Sequence, residues 1–242
     1  MTVRSRRASR SEGEIELPAG TVAWVRDGSP TRRPVYICGH GAGVPYTSPF
    51  MEAVGVGLAA RGICVLRFHF PYMQRAVRDQ RRYPPDRPAT LLETCRAVVH
   101  LALGWLPKTR RTQPCLFVGG KSMGGRMMSM LLSEHTTPAV AGAVYLGYPL
   151  HPPGNTDRLR TAHLVRVHVP QLFISGTRDA LAKPELLEAA LRQLQRAELY
   201  RVEGGDHSLA TKRRDPLFGS DAWLDAAAAF IDRCTTQVAR GA

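Results

Sequence analysis

The chain has 242 residues, 44% hydrophobic and 22% charged, with a formal net charge of +13. This length suits one large α/β domain whose core stands without a disulfide or metal, and the composition excludes a disordered chain. No apolar stretch reaches the roughly 18 to 20 residues needed to cross a bilayer.

Residues 1–11 are polar and basic and read as a disordered arm, with the domain proper over 12–242. No apolar segment of signal-peptide type follows the arm, so a soluble cytoplasmic protein is expected. IELPAGTVAWVRDG (15–28) places two short runs around a Pro-Ala-Gly turn and suggests a hairpin. VYIC (35–38) reads as a strand ending in GHGAG, 49–61 as a helix stopped by Gly62, and ICVLRFHF (63–70) as the next strand. An Arg- and Pro-rich loop is expected over 71–88 and a helix over 91–105. Further on come a strand at 115–120, a helix at 122–132, a strand at 140–149 and a Pro-rich loop. A strand at 170–176, a helix at 184–195, a strand at 197–205 and a closing helix from Asp221 to Cys234 complete the order. Continuous apolar strands alternating with helices predict a mostly parallel central sheet with helices on both faces.

The five cysteines are odd in number and lack C-x-x-C spacing, which fits buried reduced thiols. The basic excess is almost all arginine. It is scattered, with short clusters at Arg4, Arg6, Arg7 and Arg10, at Arg78, Arg81 and Arg82, and at Lys212, Arg213 and Arg214. No basic stripe interleaves with aromatics, which argues against nucleic acid as a partner.

The chemistry centres on Gly120-Lys121-Ser122-Met123-Gly124, a G-x-S-x-G between a strand and a helix. Such a turn lifts the serine Oγ clear of the sheet edge, and a β-carbon at either glycine would collide with a neighbouring strand or helix. A serine needs a base, and the base an orienting acid. Asp179 and His207 follow in that order, each just past a predicted strand, at the edge where open α/β sheets gather their functional groups. Asp206 is the rival acid, but it adjoins His207 and belongs to the loop turn. After VYIC, GHGAG offers the Ala42 N–H, which with the Met123 N–H forms the expected oxyanion hole. His40 reads as a residue shaping that loop. His40, Phe70, Tyr72, Lys121, Tyr148, Leu150 and His151 are expected to edge a fairly open pocket. Arg126 and the methionines after it read as helix-face and core residues. The remaining histidines lack metal-ligand spacing, so neither metal nor cofactor is expected.

With these residues in view, the chain resembles the α/β-hydrolase superfamily from about residue 12 to 235. It is most similar to a dienelactone-hydrolase-like group that includes a testis-expressed vertebrate protein and the hydrolase-like domain of a non-specific-lethal complex subunit. The stretches carrying this are GHGAG, RFHFPYM, GGKSMGGRM, GYPLHPPG, FISGTRDAL and GGDHSL. The resemblance implies an α/β-hydrolase fold and a serine hydrolase acting on a small-molecule ester or similar acyl bond. Acyl transfer at the same triad, or a scaffold that has lost turnover, are its alternatives; a protein partner or homo-oligomer stays open. Dienelactone hydrolases use cysteine as nucleophile where this chain has Ser122, which points to ester chemistry. Only about twenty residues separate Tyr148 from Pro170, too few for a substantial cap domain.

Overall fold

A computed structural model describes residues 9–31, 33–106, 115–134, 140–211 and 222–240. The basic arm over 1–8, the Lys212, Arg213 and Arg214 cluster and the Asp221 helix start lie outside the described residues. Among the described residues eight strands form one sheet: β1 (Arg10–Ile15), β2 (Val22–Asp27), β3 (Val35–Gly39), β4 (Cys64–Phe68), β5 (Leu116–Lys121), β6 (Gly142–Leu146), β7 (Gln171–Gly176) and β8 (Ala197–Val202). Their order across the sheet is β1-β2-β4-β3-β5-β6-β7-β8. β3 to β8 run parallel, and the β1–β2 hairpin joins antiparallel through β4. Six α-helices among the described residues accompany them: α1 (Pro49–Ala60), α2 (Pro71–Arg78), α3 (Pro88–Gly104), α4 (Met123–Leu132), α5 (Pro184–Leu191) and α6 (Ala222–Arg240).

The central strands are buried on both faces, which is why they read as unbroken apolar runs. Their alternation divides the core in two. Val35, Ile37, Leu66, Val118 and Tyr145 point to the side covered by α2, α3, α4 and α5; Tyr36, Cys38, Val65, Phe117 and Val144 point to α1 and α6. Pro49, Pro71, Pro88 and Pro184 each open a helix, where the missing N–H costs nothing. None of the five cysteines forms a disulfide.

Two expectations change. Arg10 and Ser11 belong to β1 rather than to an arm, pairing with Asp27 and Arg26 across the hairpin. The expected 71–88 loop holds α2. This short, Arg-rich helix buries only Pro71, Tyr72 and Met73. It is held from beyond its own end by Asp86, which accepts from the Tyr72 N–H (2.7 Å) and from Arg75 Nη2 (2.7 Å). No pattern within 71–78 announces a cap that arrives from eight residues further on.

Arg67 on β4 is fully buried beneath α1, where its neighbours in the strand are apolar. Asp27 Oδ2 accepts from Arg67 Nη2 (2.6 Å) and Nε (3.0 Å), while Glu52 Oε1 (2.9 Å) and the Tyr46 carbonyl (2.6 Å) accept from Nη1. Arg10 reaches Glu52 from β1 through two bonds of 3.0 and 3.1 Å. The network thus ties the hairpin to the parallel sheet and to α1. Removing one partner strands a buried charge, so Asp27→Ala is expected to lose about 3 to 5 kcal/mol in urea unfolding. Loss of under about 1 kcal/mol would show that the pair contributes little beyond a surface bridge.

Candidate active site

Ser122 stands between β5 and α4 with φ 48° and ψ −114°, the left-handed region that a residue with a side chain occupies at a cost. Its N–H donates to the Leu146 carbonyl at the end of β6 (3.0 Å), and its own carbonyl accepts from Arg126 N–H (3.0 Å) in the first turn of α4. The two motif glycines allow this turn for one steric reason. A β-carbon on Gly120 would meet the Gly39 carbonyl oxygen, and one on Gly124 would meet the Gly39 carbonyl from the helix side. Strand β3, strand β5 and helix α4 therefore touch backbone to backbone below the serine.

His207, in the loop after β8, places Nε2 2.9 Å from Ser122 Oγ. Its Nδ1 lies 2.9 Å from both carboxylate oxygens of Asp179, the residue that ends the turn after β7. Asp179 is 3% exposed, and its Oδ1 also accepts from the Leu181 N–H (2.8 Å). The structure thus brings together three residues separated by 57 and 28 positions in sequence into one hydrogen-bonded chain. Asp206 stays in its own loop. It accepts from the Ser208 N–H (2.7 Å) and the Ala210 N–H (3.1 Å), closing the turn that presents His207.

The GHGAG loop follows β3. Ala42 is exposed in it, and Met123, as the first residue of α4, has no preceding turn to accept its N–H. His40 lies beneath, fully buried. Its Nδ1–H donates to the Gly41 carbonyl (2.8 Å) and its Nε2 accepts from the Phe70 N–H (3.1 Å), which fixes the tautomer. Burial pushes its pKa down to about 3, so the imidazole is neutral and serves as a bracket between two loops. Tyr72 adds a second bracket, its hydroxyl accepting from the Gly43 N–H (3.2 Å).

The residues expected at the pocket edge are drawn inside. His40, Phe70, Tyr72, Tyr148, Leu150 and His151 are each at most 1% exposed, and Lys121 is 7% exposed. Phe70, Tyr72, Tyr148 and Leu150 belong to the core on the α3–α4 side. Tyr148 donates to the Arg160 carbonyl (2.8 Å), and His151 places Nδ1 2.9 Å from the Pro152 carbonyl. The segment between β6 and β7 carries only a 3-10 turn (Leu164–Arg166), so no cap domain covers the edge. Strand alternation carries Lys121 to the α1 side, away from the expected pocket. Its Nζ donates to the His207 carbonyl (2.5 Å) and sits 5.8 Å from the centre of the Phe50 ring. Burial lowers its pKa to about 8, against the pull of Asp179 and Asp206. Lys121 is therefore a positioning residue under the histidine loop. Only its place beside the serine in the motif hinted at a role. Among the described residues no group of three or more His, Cys, Asp or Glu is arranged to hold a metal ion, and no helix is long and apolar enough to cross a membrane.

A parallel sheet that holds a serine at a strand-to-helix elbow, with an acid and a histidine on later strand ends, defines the α/β-hydrolase class. The chain belongs to the alpha/beta hydrolase domain family, whose profile matches residues 32–235. Its fold is similar to that of Est1E from Butyrivibrio proteoclasticus (TM-score 0.69, 15% identity, covering 93% of this chain and 99% of that one). A dienelactone hydrolase from Anabaena variabilis matches with TM-score 0.70 and 19% identity over 94% of this chain and 99% of that one. XC6422 from Xanthomonas campestris, an α/β serine hydrolase without a lid, matches with TM-score 0.64 and 18% identity, covering 93% and 94%.

Lys121 generates a pH prediction. Its pKa is about 8 when folded against an ordinary value of 10.5, so between these values the unfolded chain holds a proton that the folded chain lacks. The stability this group contributes is fully present above 10.5 and is lost as pH falls through about 8. Denaturant unfolding from pH 7.5 to 10.5 should show a rising component that Lys121→Met removes. Identical slopes in both proteins would mean that the lysine is not desolvated. A second expectation concerns Gly124→Ala, whose β-carbon meets backbone that cannot rotate away. It should lower the unfolding free energy measured in urea well beyond the few tenths of a kcal/mol typical of surface changes.

Proposed function

We propose that the protein is a cofactor-independent serine hydrolase that cleaves a carboxylic ester or similar acyl bond through an acyl-serine intermediate. The observation that carries this reading is the Ser122–His207–Asp179 chain, with Nε2 2.9 Å from the serine oxygen and the imidazole's other nitrogen on a buried carboxylate. His207 Nε2 takes the Ser122 proton as Oγ attacks the carbonyl carbon. Asp179 holds the Nδ1–H tautomer and stabilises the imidazolium that forms. The Ala42 and Met123 amides, with the positive end of α4, receive the negative charge that develops on the carbonyl oxygen. His207 then gives its proton to the leaving oxygen. In the second half-reaction it takes one from water, whose oxygen attacks the acyl carbon, and returns it to Ser122 Oγ as the acyl–serine bond breaks.

The reading also accounts for a strain that a binding module has no use for. Ser122 sits in a left-handed conformation that glycine would occupy at less cost, yet the position bears a hydroxyl. The similarity in fold to Est1E and to the lidless serine hydrolase fits the same reading.

A fluorescent fluorophosphonate should label the wild type, and Ser122→Ala should not be labelled while keeping its unfolding midpoint. Asp179→Asn, which presents the wrong tautomer, should cut ester turnover by about 10⁴. Equal labelling of wild type and Ser122→Ala would overturn the assignment. A folded wild type that neither labels nor turns over any ester would instead favour the scaffold reading.

A further inference from the structure

One group of charges on the carboxyl edge of the sheet is left over by the chemistry above. Arg126 projects from the first turns of α4, and Arg158 and Arg160 from the loop after β6. With His163, Pro152 and Leu159 they line a cavity of 370 Å³. Seven other arginines with described side chains near the surface have a carboxylate: Arg10 and Glu52, Arg61 and Asp225, Arg75 and Asp86, Arg78 and Asp79, Arg96 and Glu134, Arg201 and Glu188, and Arg233 and Glu198; others, Arg81, Arg87 and Arg192 among them, stand singly with no ion pair among the described residues. Arg126, Arg158 and Arg160 have none among the described residues, and Arg126 Nε is buried without a hydrogen-bond partner. Three guanidinium groups gathered round one cavity repel one another, and no carboxylate among the described residues pairs with them. The groups themselves register that field. Burial and then Arg126 and Arg158 lower the pKa of Arg160, and burial with Arg126 and Arg166 lowers that of His163 to about 4. His163 is thus neutral near pH 7, engaged with Ser129 Oγ at 2.7 Å, and the cavity's charge comes from its arginines.

The cavity is built from the same elements as the serine elbow. Arg126 lies one helical turn, about 5.4 Å of rise, beyond Ser122, and side chains on a helix lean toward its N-terminal end. Its N–H is bonded to the Ser122 carbonyl, and the strand that feeds the arginine loop ends at Leu146, whose carbonyl holds the Ser122 N–H. Guanidinium forks match the two-oxygen geometry of carboxylate and phosphate groups.

We propose that this cavity binds an oxyanionic group, carboxylate or phosphate, on the substrate, so that the esters cleaved at Ser122 are anionic ones. The inference rests on the hydrolase reading and adds to it a substrate class and three specificity residues, Arg126, Arg158 and Arg160.

The test compares kcat/KM for 4-nitrophenyl hemisuccinate with that for 4-nitrophenyl butyrate, a neutral ester of similar size, at low ionic strength. Wild type is expected to favour the hemisuccinate by about tenfold or more, and the ratio should fall toward one in Arg126→Gln/Arg160→Gln. A second arm titrates succinate and inorganic phosphate separately into Ser122→Ala by calorimetry. Saturable binding that the two arginine replacements abolish is expected, and whichever anion binds more tightly names the group. Turnover of both esters with no preference, together with no anion binding, would overturn the cavity's role and leave the hydrolase reading intact. Arginine-dependent anion binding with no turnover of either ester would keep the cavity and remove the hydrolase reading.

Discussion

The site depends on a place where no β-carbon fits, because Gly39 of β3, Gly120 of β5 and Gly124 of α4 meet there backbone to backbone. This contact lets α4 start immediately after β5 and pack directly on the sheet. Ser122 is then forced into a left-handed turn at the sheet's carboxyl edge, with the helix's unpaired N–H groups beside it. A wider crossing would let the turn relax and the oxygen swing away from His207. The strain on one serine is held by the packing of three elements, which is how a local conformation of this cost persists.

Around that contact, each loop is fixed by polar groups, most of them buried. His40 and Tyr72 hold the GHGAG loop, Asp206 shapes the histidine turn, and Lys121 anchors the same turn from the opposite face of the sheet. His40, Tyr72 and Lys121 are buried, and for each a hydrogen bond offsets the cost of desolvation. The outcome is a rigid edge made of loops that would otherwise be mobile, which suits a reaction requiring three side chains at hydrogen-bond distance.

The arginines divide in the same spirit. Arg67 is buried and satisfied by two carboxylates and a carbonyl, and it joins the hairpin to the sheet. Others sit in exposed pairs of small energetic weight. Arg126, Arg158 and Arg160 gather round one cavity, with no carboxylate paired to them among the described residues. Net charge could not separate these three uses, because it sums them.

The sequence by itself determined the layered architecture, since strands buried on both faces must read as continuous apolar runs. It also determined the Ser122, Asp179 and His207 candidates, because a G-x-S-x-G after a strand and two later strand ends leave few other places for a base and an acid. Tertiary structure decided what side-chain direction and distant partners control. Lys121 left the expected pocket because strand alternation turned it toward α1, a face that the motif does not specify. Helix α2 formed where a loop was expected because Asp86 caps it from outside, and Arg10 and Ser11 became strand because Arg26 and Asp27 lay opposite. The arginine cavity was hidden for a similar reason. Arg126 stands 32 positions before Arg158 in the chain, and only the packing of α4 against the loop after β6 brings it to Arg158 and Arg160.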